Sequence, residues 1–171
     1  MRTIDIIFTR SKKKLAIFSK LIMWWTDKPY SHVARRGKIS FTKDSHYYQA
    51  SEGKVNYEYG KYFRNKHEIV TSYSLNVSDE IYRDMVKTSW SQAGAKYGAL
   101  QNLGIVLVDT LSYVNVHIKN PFIGGMNCSE LMYVTVFKPM LPNLKYNENT
   151  IKPHHIEEII LNNNLHVTDN N

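Results

Sequence analysis

The chain has 171 residues, 43% of them apolar and 22% charged, with a formal net charge of +7. That length suits one domain with a real core, and that composition excludes disordered, collagenous and disulfide-dense classes. A single cysteine leaves no internal disulfide, and the basic balance implies anionic partners (nucleic acid, anionic lipid or acidic wall polymers) without choosing among them.

The opening Met1-Arg2-Thr3-Ile4-Asp5-Ile6-Ile7-Phe8 carries an early acid and does not read as a signal peptide. Thr3 to Thr9 is β-branched and apolar and predicts a buried first strand. The basic Arg10 to Lys14 leads into a segment whose apolar residues at 15, 18, 21, 22 and 25 keep helical spacing. Such a helix, with lysines at its edge and a Trp pair, suits a membrane surface. The preferred expectation is a helix packed on the sheet with its cations in water. Asp27-Lys28-Pro29 is a turn. Ser31 to Arg35 predicts a short strand, and Lys38 to Thr42 its hairpin partner across Arg36-Gly37. His46 to Ser51 predicts the next strand, broken by Glu52-Gly53-Lys54-Val55. Tyr57 to Phe63 reads as a loop or short helix, and His67 to Leu75 as a further strand.

Ser78 is an N-cap candidate followed by Asp79 and Glu80, and Ile81, Met85, Val86 and Trp90 make one helical face. Gly94 to Gly98 interrupts, and Leu100 to Val116 predicts a mostly buried helix. Its apolar run from Leu103 to Leu111 is interrupted by Asp109 and is too short to span a bilayer. With neither a leader nor a span, the chain is expected in the cytoplasm or with a virion. Lys138-Pro139 is expected to end the helix that starts near Leu131. Pro153 opens a last helix over Ile156 to Leu161, and a polar tail follows from Thr168. The whole chain reads as a single domain in which residues 138–171 form a C-terminal extension.

The chemistry concentrates on Gly124-Gly125-Met126-Asn127-Cys128-Ser129-Glu130-Leu131. A thiol at the first turn of a helix meets unpaired backbone N–H groups and the positive end of the dipole, which favour the reactive thiolate. A lone cysteine with no such setting is a small buried hydrophobe. A nucleophile needs a base, and the base needs an orienting group. Among seven histidines, His32 stands out, because it opens a short strand after a Pro turn. Gln49, expected on the next strand but one, could present an amide oxygen to its ring. His67, His117 and His166 have no partner pattern near them. His154-His155 with Glu157 and Glu158 reads as a solvated helix start.

In order, the chain presents Thr9-Arg10, Ser31-His32-Val33, Tyr48-Gln49-Ala50-Ser51-Glu52-Gly53-Lys54-Val55, Ala95-Lys96-Tyr97-Gly98 and Asn127-Cys128-Ser129-Glu130-Leu131. This order resembles the circularly permuted branch of the NlpC-type papain-like cysteine hydrolases. In that branch the histidine strand precedes the cysteine helix, and bacterial, phage and poxvirus members and the lecithin:retinol acyltransferase group share the clan. The resemblance covers roughly residues 3 to 137, and Arg35-Arg36 depart from the usual small, apolar strand residues. It implies an α+β, papain-like, circularly permuted fold with a central antiparallel sheet and the nucleophile helix packed against it. It assigns Cys128 as nucleophile, His32 as base and Gln49 as orienting residue, with Glu52 as the alternative for the third role. The implied activity is cleavage of an amide, peptide or ester bond through an acyl-thioester, on peptidoglycan peptides or lipid acyl groups, without a cofactor. Tyr30 is expected to pack rather than to serve the cleft.

No metal-ligand spacing, Gly-x-Ser-x-Gly elbow or phosphate-binding Gly loop occurs. The main alternative is a non-enzymatic basic module, in which the net charge and the twelve tyrosines give a stacking surface for nucleic acid or another anionic surface. Scattered lysines and the lack of a helix-turn-helix weigh against nucleic acid.

Overall fold

A computed structural model describes residues 1–13, 16–38, 44–51, 53–122 and 124–167. The architecture is α+β. Five strands, β1 (Arg2–Ser11), β2 (His32–Lys38), β3 (Ser45–Ser51), β4 (Lys54–Tyr59) and β5 (His67–Val77), form one sheet in the order β4-β3-β2-β1-β5. Every neighbouring pair is antiparallel. β1 is an interior strand between β2 and β5, and its apolar run is buried on both faces, with Ile4, Ile6 and Phe8 facing the main core and Ile7 joining a smaller cluster with Ala34, Tyr47 and Phe63.

Two features of the sheet differ from expectation. β2 runs straight through Arg36-Gly37 instead of turning there, because Arg35, Arg36, Gly37 and Lys38 pair in unbroken register with Tyr48, Tyr47, His46 and Ser45. Gly37 adopts no positive φ that would mark a turn. The rest of the expected partner strand, residues 39–42, lies outside the described residues, and Gln49 therefore sits on the strand adjacent to His32. The second difference follows Gly53, which turns with φ +97. Lys54 to Tyr59 is a full edge strand, and helix α2 (Gly60–Lys66) follows directly.

Helix α1 (Ile17–Thr26) does not lie on the sheet. None of its residues is buried, and its main partner is helix α4 (Ala99–Ser112). Nor is α4 the buried helix that its composition predicts, since Ile105 is buried while Leu107 is exposed. Helix α3 (Asp79–Gln92) is capped by Ser78, whose hydroxyl accepts from the Ile81 N–H at 3.2 Å. Its buried residues are Met85 and Ser89, so the inward stripe leaves Trp90 in solvent.

The run that carries the cysteine is longer than predicted. Helix α5 (Cys128–Met132) continues through a π turn (Tyr133–Phe137) into α6 (Lys138–Met140), so Lys138-Pro139 does not stop it. The wider π turn precedes Pro139 and relieves the clash that a proline ring makes with the carbonyl four residues back. Helix α7 (Pro153–Asn162) places Ile156, Ile159 and Ile160 in the same core cluster as Phe8, Val33 and Leu131.

The segment before the cysteine is fixed by backbone contacts. Met126 N–H donates to Lys96 O at 2.8 Å, Gly98 N–H to Met126 O at 3.2 Å, and Val55 N–H to Ala95 O at 2.8 Å. Residues 95–98 thus tie the cysteine loop to β4. A Cβ on Gly125 would lie 2.6 Å from Gly98 N and 2.8 Å from Tyr97 C, whereas one on Gly124 would meet open space. Gly125→Ala is therefore expected to destabilise the fold by about 1–3 kcal/mol through overpacking against backbone, and Gly124→Ala to change it little. Urea unfolding of the two variants against wild type measures the difference.

Candidate functional site

Asn127 builds the start of α5. Its side-chain oxygen accepts from the N–H groups of Ser129 and Glu130, each at 2.9 Å. Glu130 returns the contact by accepting from Asn127 N–H at 3.4 Å and also accepts from Gln101 Nε2 at 2.9 Å. This reciprocal capping box leaves the first-turn position to Cys128. The thiol is 3% exposed, at the edge of the main core and beside the mouth of β2.

His32 opens β2 and Gln49 lies on β3. Both are buried, and His32 Nε2 stands 2.8 Å from Gln49 Oε1. The orientation of the amide is fixed from its other side, because Gln49 Nε2 donates to Glu58 Oε2 at 2.7 Å. The Gln49 oxygen must therefore face the ring, and as an acceptor it requires the proton on Nε2. Nδ1 is then the ring nitrogen without a proton in the neutral imidazole. Glu58 is held in turn by Lys66 Nζ at 2.7 Å.

The ring is also held by stacking. His67 stacks on His32 with centroids 5.0 Å apart, Phe63 on His67 at 4.7 Å, and Tyr47 on Phe63 at 3.9 Å. Burial, with the charges of His32 and Lys66, pushes His67 down to about 3. His67 thus stays neutral at ordinary pH and adds no charge against His32.

The electrostatics couple thiol and imidazole. Burial pushes the Cys128 thiol up, but the His32 charge and hydrogen bond, then the Val33 backbone N–H and Ser129, outweigh it and bring the thiol below its ordinary value. Burial likewise pulls His32 down, and the charge and hydrogen bond of Cys128, followed by Gln49 and Glu58, raise it above its ordinary value. Both shifts act in the direction that favours a thiolate–imidazolium pair over the neutral pair.

Of the residues read from the sequence, His32 and Gln49 meet directly, and Cys128 lies near enough for its charge to act on His32. Glu52 lies outside the described residues. Glu58 and His67 were missed. The signal for Glu58 was available: Gln49 pairs with Asn56 and Tyr47 with Glu58, so Gln49 and Glu58 are diagonal neighbours on one face once residues 54–59 are read as a strand. The α7 start is not solvated as expected. Glu157 is buried and accepts from Tyr30 Oη at 2.5 Å, Lys28 Nζ at 2.9 Å and Tyr73 Oη at 3.0 Å. Burial and neighbouring charges push His154 down to about 4. Tyr30 packs under Phe8 and spends its hydroxyl on Glu157.

Beside Cys128 lies a narrow cleft lined by Ile22, Trp25, Ile105, Val106 and Ile151, with Lys152 at its edge. Lys152 is held by Asp109. Among the described residues, no group of three or more His, Cys, Asp or Glu side chains is placed to hold a metal. Compared with known proteins, the chain matches no family model and no curated protein sequence.

The pair predicts a pH profile. Alkylation of Cys128 by iodoacetamide is expected to reach half its maximal rate below the ordinary thiol value of 9.0. In His32→Ala, burial remains without its largest compensation, and the midpoint moves up. Gln49→Ala removes a hydrogen bond to a charged ring and is expected to slow alkylation at neutral pH roughly tenfold.

Proposed function

We propose that the protein is a cysteine hydrolase of the papain-like class in its circularly permuted order, acting on an amide or ester carbonyl. The observation that carries this is the buried imidazole of His32, whose tautomer is set by the Gln49 acceptor on Nε2 and whose charge is coupled to the Cys128 thiol. A merely structural histidine needs no partner that sets its tautomer. A merely structural cysteine is not lowered in pKa against its own burial. Support also comes from the chain order, in which the histidine strand precedes the helix that begins with the nucleophile.

In this mechanism the Cys128 thiolate attacks the carbonyl carbon, and the carbonyl π pair moves onto oxygen. The Cys128 backbone N–H, at the first turn of the helix, donates to that oxyanion. The oxyanion collapses to an acyl-thioester as the C–N or C–O bond breaks, and the His32 imidazolium protonates the leaving group. Neutral His32 then takes a proton from water, whose oxygen attacks the thioester. Carboxylate leaves and the thiol is restored. The apolar side chains beside the thiol suit an apolar acyl group better than a charged peptide. Peptidoglycan peptides and lipid acyl groups are the two substrate classes that the family resemblance implies.

The test is intact-protein mass spectrometry after mixing with p-nitrophenyl acyl esters of increasing chain length. Wild type is expected to gain the mass of the acyl group on Cys128, with a burst of nitrophenol. Cys128→Ala is expected to show neither, and steady turnover is expected to fall at least about 10³-fold. His32→Ala is expected to lose the burst while remaining folded. Turnover retained in Cys128→Ala would defeat the proposal.

A further inference from the structure

Surface helices of a folded domain turn their apolar stripe inward. Helix α1 turns Ile22 and Trp25 inward but leaves further apolar residues on its outer face. Ser19 and Thr26 face the body of the protein, where Ser19 Oγ lies 2.5 Å from Ser31 Oγ and Thr26 lines the cleft beside Cys128. Ile17 is 71% exposed and Trp24 76% exposed, and with the exposed Lys20 they share the outer face at helical spacing. Phe18, 54% exposed, widens the apolar face. The face continues onto the neighbouring element. Trp24 and Trp25 rings lie 6.1 Å apart, and Trp25 meets Tyr113, just beyond α4, at 6.2 Å. Tyr113 and Val114 are themselves mostly exposed.

Lysines outnumber acids in the segments around this face, with the exposed Asp27 at the C-cap of α1 the acid next to the helix in sequence. Residues 12–26 contain four lysines and no Asp or Glu, and residues 110–122 contain one lysine and no Asp or Glu. The acid between them in space, Asp109, is taken by Lys152 and by the Trp25 indole N–H at 3.0 Å. Lys20 and Lys119 are exposed. Aromatic side chains with polar edges, aliphatic neighbours and a fringe in which lysine outnumbers acid match the interface of an anionic bilayer. A protein partner of ordinary composition would leave this lysine-rich fringe largely unanswered, and a second copy of the chain would set lysine against lysine. Among the described residues no helix is long and apolar enough to cross a membrane, so the contact lies on the surface.

We propose that the outer face of α1, together with Tyr113 and Val114, docks on anionic lipid bilayers. The cleft beside Cys128 is lined by the inner residues of these same two helices, Ile22 and Trp25 from α1 and Ile105 and Val106 from α4. Docking therefore brings the bilayer to the cleft's own walls. The docking itself is independent of whether Cys128 reacts.

Co-sedimentation with vesicles tests this, using phosphatidylcholine alone and phosphatidylcholine mixed with phosphatidylglycerol. Wild type is expected to pellet with the mixed vesicles, far less with the neutral ones, and less as salt rises. Phe18→Ala and Trp24→Ala, both at exposed sites, are expected to keep the wild-type circular dichroism and to weaken binding roughly tenfold each. Lys20→Glu with Lys119→Glu is expected to abolish the preference for phosphatidylglycerol. Cys128→Ala is expected to bind as wild type does, so that failure of docking and failure of the chemistry are told apart. No pelleting with either vesicle, or binding unchanged in Phe18→Ala and Trp24→Ala, overturns the proposal. So does self-association in sedimentation velocity that those two substitutions remove.

Discussion

Everything at the site depends on keeping two ionisable groups buried side by side at the edge of a core. An isolated buried charge is far too costly to persist, and a buried pair persists only when its remaining hydrogen-bonding capacity is met. Here the thiol has the imidazole, the Val33 N–H and Ser129, and the imidazole has Gln49. The amide cannot rotate, because its nitrogen is held by Glu58, and Glu58 is held by Lys66 at the border with solvent. The chain of contacts runs outward from sulfur to water through β2, β3, β4 and α2, and each link fixes the donor or acceptor sense of the one inside it.

The fold supplies the alignment this network needs. β2 and β3 set His32 and Gln49 on adjacent strands, while α5 contacts both strands from the side. The loop before α5 is held by a parallel bridge between Tyr97 and Met126, and residue 96 bridges back to Lys54 on β4. The loop before Cys128 and the strand carrying Glu58 thus share one short backbone linkage. On the opposite side the Tyr47, Phe63 and His67 rings stack in sequence against His32, so the imidazole is confined by packing as well as by hydrogen bonds.

The residues bearing on chemistry were more legible in the sequence than the elements that carry them. Asn127, three residues before Glu130, announces a helix start with the thiol in its first turn, and that is a local signal. The first strand and the Ser78 cap are local too. What failed was pairing. A glycine after an arginine pair suggested a hairpin at Arg36-Gly37, but the register with β3 needs those residues extended. Glu58 and His67 escaped because their meaning depends on neighbours from other strands. The inward packing expected of α1 followed the usual behaviour of amphipathic helices, and its exposed Ile17 and Trp24 overrode it. The continuation past Pro139 was invisible because a π turn leaves no compositional mark.

That π turn changes what the cysteine helix can do. An ordinary α-helix advances about 100° per residue, and one added residue in a turn rotates everything beyond it by that amount relative to what came before. Leu131 and Met132 ahead of the turn and Val136 and Phe137 within it are all buried in the same core. The widened coil therefore acts as a phase adjuster. It lets the front of the rod be aimed by the chemistry at sulfur while its rear is aimed by packing, so that neither half dictates the azimuth of the other.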